Sequence, residues 1–217
     1  MPFQGRVREC VNLVAAGHRL LDIGCSSGWL AQFVMAKGFT NYVGIDRVIV
    51  GSERAGPGTQ FVAGSVFVLP FADESFDAAC LFDVIEHLPK GSELRALREV
   101  RRILSDGGRL YFSTPHASAL HTPLDPVWLL GHRHYRRSTI RRLLASAGFE
   151  IDKLFVAGGV AESLDHIRLL MYKHLLQRPL PRLAVANRLI ERSHGKDQPF
   201  GMTLFAIATR QRDHAPK

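Results

Sequence analysis

The chain has 217 residues, enough for one well-buried α/β domain and too few for two comfortable ones. Its 46% hydrophobic and 22% charged content is ordinary for a globular protein, and no apolar run approaches the roughly 20 residues of a membrane span. A formal charge of +8 either directs the chain toward anionic partners or reflects arginine-rich solvated helix faces; those partners would be nucleic acid, acidic lipid, or a phosphorylated or carboxylated small molecule.

In chain order, Arg6–Ala16 carries Val7, Cys10, Val11, Val14 and Ala15 at helical spacing, with one face for a sheet. Arg19–Ile23 reads as the first strand. A helix over Ser27–Lys37 follows, with Leu30, Phe33 and Val34 at i, i+3 and i+4 and Gly38 as its stop. Asn41–Ile45 is the second strand and Gln60–Ala63 the third. The link after Asp46 is short and rich in glycine, which predicts a stunted or missing crossover helix. Phe76–Phe82 is the fourth strand, and Asp83–Leu88 with Ser92–Leu104 forms a helix interrupted near Pro89. Gly107-Gly108 turns the chain into a fifth strand at Arg109–Ser113. Ser138–Gly148 is a helix with Ser138 as N-cap and Gly148 as C-cap.

Glu150–Ala157 and Met202–Arg210 form a last pair of strands, separated by an insertion over Ala161–Phe200. Within it Leu164, Ile167, Leu170, Met171, Leu175 and Leu176 fall on one helical face, and Arg168, Lys173 and Gln177 on another. Arg178-Pro-Leu-Pro-Arg182 breaks this helix, and a second short one is expected over Leu183–Arg192. Plain packing, a lid over a substrate, and a basic amphipathic surface for anionic membrane are three readings of it. Cys10, Cys25 and Cys80 are odd in number and lie in core-type segments. They read as free thiols of a reducing, cytoplasmic setting, and Met1-Pro-Phe-Gln-Gly-Arg6 lacks the apolar stretch of a signal peptide.

The chemistry concentrates in Leu20-Leu-Asp-Ile-Gly-Cys-Ser-Ser-Gly-Trp-Leu30 and the following Val43-Gly-Ile-Asp46. An apolar strand ends in a small-residue turn that opens a helix, and a second strand ends in a lone carboxylate. In an open α/β sheet that arrangement places a ligand across the carboxyl ends of neighbouring strands. Gly24 and Gly28 let backbone pass close to such a ligand. Asp46 can accept hydrogen bonds from both hydroxyls of a ribose, so a nucleoside-containing cofactor is expected. A dinucleotide would need Gly-x-Gly-x-x-Gly for its pyrophosphate. Here the pattern is Asp22-x-Gly24-x-x-x-Gly28, with Ser26 where a middle glycine might stand, a departure tolerable if its backbone sits in an ordinary region.

That pattern is followed by Gly64-Ser65, Leu69-Pro-Phe-Ala-Asp-Glu-Ser-Phe-Asp77 and Asp83-Val-Ile-Glu-His-Leu-Pro89. Leu97-Arg-Glu-Val-Arg-Arg-Ile-Leu-Ser-Asp-Gly-Gly108 and Ser146-Ala-Gly-Phe149 complete the set. In this order the set resembles the class I S-adenosylmethionine-dependent methyltransferases, especially their small-molecule, ubiquinone-biosynthesis branch. The resemblance runs from about Leu20 to Phe149 and returns at Met202–Thr209. It implies a Rossmann-like, doubly wound α/β fold with a seven-stranded sheet, mostly parallel, closed by a C-terminal antiparallel hairpin strand. Residues 1–217 would form a single methyltransferase domain with a helical insertion at about 161–200.

By the same resemblance, Gly24, Cys25 and Gly28 line the homocysteine portion of S-adenosyl-L-methionine, and Asp22 supports its amino group. Asp46 takes the ribose hydroxyls with Arg47 beside it. Ser65 stands where many relatives place an acid against adenine, with the Val66 backbone reading the adenine edge. Phe82 and Asp83 end the fourth strand where the methionine moiety is met. His87 falls near the methyl, either as general base or in an orienting role. His134 and Tyr135 are further candidates to position or deprotonate an acceptor, beside His116 and His132. Three histidines without accompanying cysteines or carboxylates do not make a metal pattern, and no metal is expected.

The function this implies is methyl transfer to an O, N or C atom of a small-molecule acceptor, anionic in some cases, and lipid-linked, sugar or secondary-metabolite in type. The alternatives are an RNA methyltransferase and a non-catalytic cofactor-binding module. Against nucleic acid, Phe82-Asp-Val-Ile replaces the Asn/Asp-Pro-Pro-aromatic turn of amino methylation, and Cys80 sits mid-strand without a neighbouring proline. No aromatic-interleaved basic patch offers base stacking. Peripheral membrane contact through the insertion is a further expectation; neither the acceptor nor the oligomeric state can be read.

Overall fold

The computed structural model describes residues 5–50, 56–118, 122, 131–177 and 184–212. Seven strands, β1 (Arg19–Ile23), β2 (Asn41–Asp46), β3 (Thr59–Ala63), β4 (Phe76–Phe82), β5 (Leu104–Pro115), β6 (Phe149–Ala157) and β7 (Thr203–Arg210), form one sheet. Their order is β3-β2-β1-β4-β5-β7-β6. The first five are parallel, and β7 runs antiparallel to both β5 and β6. This is the expected Rossmann-like α/β sheet with its antiparallel C-terminal strand.

The helices are α1 (Gly5–Leu13), α2 (Ala31–Ala36), α3 (Glu93–Ile103), α4 (Arg137–Ser146), α5 (Val160–Leu170) and α6 (Ala184–Arg192). Both sheet faces are covered, which is why β1 reads as a near-continuous apolar run. Successive side chains point to opposite faces of a strand. Leu21 and Ile23 pack with Leu97, Val100, Ile140 and Leu144 of α3 and α4. Leu20 packs with Cys10, Leu13 and Val34 of α1 and α2. All three cysteines are buried and free.

Several boundaries differ from the sequence expectation. The Ser27–Lys37 helix begins only at Ala31, because Gly24–Leu30 is spent in turns that carry the backbone from β1 to β2. Strand β5 starts at Leu104: Phe76 pairs with Leu104 and Ala78 with Arg109, so residues 105–108 bulge out of the ladder. Ser138 is not an N-cap. The helix follows Arg136 and no side chain caps it, which leaves Ser138 inside the first turn. Gly148 does close that helix, at φ +83°. Residues 47–50 contain no helix, as expected of the short link; residues 51–55 lie outside the described ones. The insertion is α5, continued as a π-helical turn over Met171–Leu176, and then α6. The break expected at Arg178–Arg182 lies outside the described residues.

Candidate functional site

A cleft of about 630 Å³ opens at the carboxyl ends of β1, β2 and β4, where strand order turns outward from β1 in both directions. Its size is that of a small-molecule site, and its position is where open α/β sheets bind ligands. The β1 end supplies Ile23, Gly24 and Ser26, the β2 end Asp46 and Arg47, and the β3 end Gly64, Ser65, Val66 and Phe67. The segment after β4 supplies Asp83, Val84 and His87.

The β1 turn is fastened to β2. Gly24 N–H and Cys25 N–H both donate to the Ile45 carbonyl, at 2.8 and 3.2 Å. Ser26 N–H donates to Asp46 Oδ2 at 2.9 Å, and Arg47 N–H to Oδ1 at 2.6 Å. Ser26 adopts φ +49°, so its backbone is left-handed rather than ordinary. Gly24 and Gly28 have φ +77° and +66°, and a Cβ there would overlap Val84 Cγ2 and the Phe61 ring respectively. The chain's own side chains therefore already demand both glycines.

Asp22 does not reach the cleft wall. Its carboxyl is buried beneath the turn, accepts the Tyr42 hydroxyl at 2.6 Å, and is pushed up to about 7 by burial. Gly28 and Phe82 are not among the lining residues either. Nor is Cys25, which is buried; its thiol is raised to about 12 by that burial, so it offers no thiolate near neutrality. Ser65 lines the cleft, and its Oγ accepts Phe67 N–H at 3.3 Å.

Beyond β4 the chain makes a tight turn. Asp83 is left-handed at φ +54°; its Oδ1 accepts the Ser113 hydroxyl at 3.0 Å and its Oδ2 pairs with Arg6 Nη1 at 3.0 Å. The expected Asp83–Leu88 helix shrinks to a 3₁₀ turn over Ile85–His87. Arg133 holds that turn: its guanidinium donates to the carbonyls of Ile85 at 2.7 Å, Glu86 at 3.3 Å and Leu88, and pairs with Glu93. Glu86 points away from solvent to the Thr114 hydroxyl at 3.0 Å; burial, with Asp83 adding to it, pushes the carboxyl up to about 8.

The histidines and Tyr135 separate. His87 is exposed, lines the cleft, and packs edge-on against His132 with ring centroids 4.6 Å apart. Although the residue is exposed overall, partial desolvation of the ring, with His132 beside it, lowers its pKa. His134 and Tyr135 do not line the cleft. The Tyr135 hydroxyl is buried, its single proton shared between the Ile85 carbonyl at 3.2 Å and Glu93 Oε1 at 3.1 Å, and burial raises its pKa. Tyr135 thus supports the turn that presents His87. His116 hydrogen-bonds the Gly201 carbonyl through Nδ1 at 2.9 Å. Among the described residues no three His, Cys, Asp or Glu side chains come together as a metal site.

Sequence reasoning missed Arg6, Ser113, Glu93 and Arg133. Only Arg133 left a trace, inside the His132-Arg-His-Tyr135 run read for its histidines. The other three lie on elements whose mutual packing the sequence does not state.

Residues 4–154 match the family described as a methyltransferase domain. A Mycolicibacterium smegmatis protein assigned as an S-adenosylmethionine-dependent methyltransferase is 31% identical over 157 residues, 68% of this chain and 59% of its own length. Rice 24-methylenesterol C-methyltransferase 2 is 31% identical over 159 residues, 63% of this chain and 42% of its own length. This chain thus spans only about half of these curated relatives. Among solved structures, Burkholderia thailandensis 1,6-didemethyltoxoflavin-N1-methyltransferase, with its substrate and S-adenosylhomocysteine bound, superposes with a TM-score of 0.61. It is 15% identical, with 95% of this chain and 76% of that one covered, a likeness of fold alone.

Proposed function

The chain belongs to the class I S-adenosylmethionine-dependent methyltransferases, and from that premise we propose that it transfers a methyl group to a small-molecule acceptor, with residues 1–217 acting as one domain and about 161–200 as its insertion. The observation that carries this reading is the Asp46 carboxylate, held at the tip of β2 by Ser26 N–H and lining the cleft. The ubiquinone-biosynthesis branch is not singled out by the relatives, one a sterol C-methyltransferase and the fold neighbour an N1-methyltransferase.

The lining suits an S-adenosyl group. Asp46 accepts the vicinal hydroxyls, in charge-assisted hydrogen bonds that are stronger than neutral ones. Val66 and Phe67 give the apolar wall for a base, with Ser65 and the Val66 backbone at its polar edge. Gly24 and Ser26 present backbone at the centre, and Asp83 offers a carboxylate to the cationic amino-acid end. Asp22 braces the turn from behind, through its hydrogen bond from Tyr42, rather than touching the ligand. When bound, S-adenosyl-L-methionine supplies a methyl already activated by its sulfonium. The protein's own work is then to position an acceptor, exclude water, and accept a proton where the acceptor has one to lose. His87 is the side chain placed to do so at the open rim, either as base or by orienting the acceptor.

The test is incubation with methyl-labelled S-adenosylmethionine and host extract, followed by partition into organic, nucleic-acid, protein and small-solute fractions, with Asp46→Ala as control. Label in the organic or small-solute fraction, absent from the variant, supports the proposal. Label in nuclease-sensitive polymer assigns an RNA substrate instead. Cofactor binding with no transfer into any fraction leaves a binding module.

A further inference from the structure

Ten of the thirteen exposed large hydrophobic residues of the described chain fall between Val160 and Phe200. They are ordered. Val160, Leu164, Ile167 and Met171 recur at i, i+4, i+7 and i+11 along α5 and its continuation, and Leu175, 76% exposed, extends the row. Leu164, Ile167, Met171, Leu175 and Leu176, read from sequence as part of one helical face, are therefore exposed instead of being buried in the domain. On α6, Val185 and Leu189 are exposed beside the exposed Arg188 and Arg192. At i, i+3, i+4 and i+7 these four share one face about 100° wide. Ile190, on the other side, is buried.

Charge decides what such a surface fits. Residues 161–200 contain seven lysines and arginines against four carboxylates. All four carboxylates are engaged within the fold: Glu162 with His194 at 2.9 Å, Asp165 with Arg168, Glu191 with Arg8 at 3.1 Å, and Asp197 with Arg137. Arg188, Arg192 and Lys196 remain exposed, and the outer surface is apolar rows edged by positive charge. Helices of this kind lie in the plane of a membrane interface, with aliphatic side chains among the acyl chains and arginines at anionic headgroups. The two rows themselves are aliphatic, and among the described exposed large hydrophobics of the insertion Phe200 alone carries a ring, which favours a lipid surface over stacking on bases.

We propose that the α5–α6 insertion docks the protein on an anionic lipid surface through Leu164, Ile167, Met171 and Leu175 together with Val185, Leu189, Arg188 and Arg192. The inference does not depend on the methyltransferase reading. It places the cleft close to the bilayer, because Arg6 N–H reaches Glu162 of α5 at 3.4 Å while the Arg6 guanidinium pairs with Asp83 of the cleft wall.

The experiment is co-sedimentation of the full chain with vesicles of phosphatidylcholine, with or without phosphatidylglycerol, at low and high salt. Binding is expected to the anionic vesicles, with strong weakening by salt. Leu164→Asp/Leu175→Asp and Arg188→Glu/Arg192→Glu should each reduce it at least about tenfold, an arginine near an anionic surface being worth about 1 kcal/mol. Because the replaced residues are exposed, circular dichroism and thermal unfolding should not change, which separates lost docking from lost fold. Failure of the wild type to sediment, or equal sedimentation of the variants, overturns the proposal. A concentration-dependent dimer in sedimentation velocity that Leu175→Asp abolishes reassigns the surface to a second copy. Binding to RNA in place of anionic vesicles reassigns the surface to nucleic acid and equally overturns the proposal.

Discussion

Ser26 N–H donates to Asp46 Oδ2 at 2.9 Å, so one carboxylate both ties the β1 turn to the tip of β2 and faces the cleft. Ser26 accepts a left-handed backbone, φ +49°, to make that bond. Strain of this kind is held only where the surroundings over-determine it, and it is common at binding sites. The turn is thereby fixed by hydrogen bonds of the chain itself.

Asp46→Ala removes both functions. Donor affinity is expected to fall at least about tenfold, since hydrogen bonds to a charged group are worth roughly 1.5–3 kcal/mol. Stability should fall by only about 1–2 kcal/mol, the cost of leaving a partly exposed turn N–H to water. Asp46→Asn keeps an acceptor for Ser26 and should recover most of the stability but little of the affinity. Calorimetric titration with S-adenosylhomocysteine and urea unfolding separate the two effects. Unchanged affinity in both variants would remove Asp46 from the site.

Arg133 fixes the 3₁₀ turn that presents His87 by serving three carbonyls and Glu93 at once. An ammonium on a flexible stem cannot reproduce that fork. Arg133→Lys is therefore expected to behave almost like Arg133→Ala, with each losing on the order of 2–3 kcal/mol of stability. Turnover should drop more than donor affinity, because the turn bears on the acceptor rim and Asp46 is untouched. Equal losses in both, or full rescue by lysine, would mean that the turn does not depend on this guanidinium.

The sheet was legible because its signals are local. Strands β1 and β4 stand where their apolar runs predict them, and Gly38 and Gly148 stop helices where expected. The cleft's β1, β2 and β3 ends were equally legible: Gly24, Asp46, Arg47, Ser65 and Val66 all reach it. What failed was side-chain direction. Asp22 and Tyr135 lie in the right segments but turn into the interior, toward Tyr42 and Glu93, because burial offers each a hydrogen-bond partner there. Arg6 and Arg133 are tertiary choices: each crosses to a segment distant in the chain, and periodicity carries no record of that.

Asp22 also sets a pH dependence. Burial lifts its folded-state pKa to about 7, against an ordinary carboxylate near 3.9 in the unfolded chain. Between those values the folded state holds a proton the unfolded state has released, so this group's contribution to stability is lost as pH rises through that window. Asp22→Asn keeps an acceptor for the Tyr42 hydroxyl and removes the titration. The variant should gain stability relative to wild type on going from pH 4 to pH 8, by on the order of a few kcal/mol. Urea unfolding at several pH values measures the difference, and a constant offset between the two proteins would show that Asp22 does not titrate there.

His87 offers the sharpest separation of catalytic from orienting roles. Partial desolvation of the ring and the adjacent His132 hold its pKa below the ordinary histidine value, with Arg133 acting in the same direction and Asp83 opposing. A base must be neutral to accept a proton, so at pH 7 His87 is already in its working form. If it is the base, turnover is level near neutrality and falls as pH drops through a value below about 6.5. Removing His132 removes an influence that lowers the pKa, so in His132→Ala that acid limb should move to higher pH. His87→Ala should leave donor affinity nearly unchanged, because Asp46 and the β1 turn stay intact, and it should abolish the limb together with most of the turnover. Both are read from single-turnover rates at saturating donor across the pH range. Should His87→Ala keep its rate while retaining the limb, the proton goes elsewhere and His87 only shapes the rim.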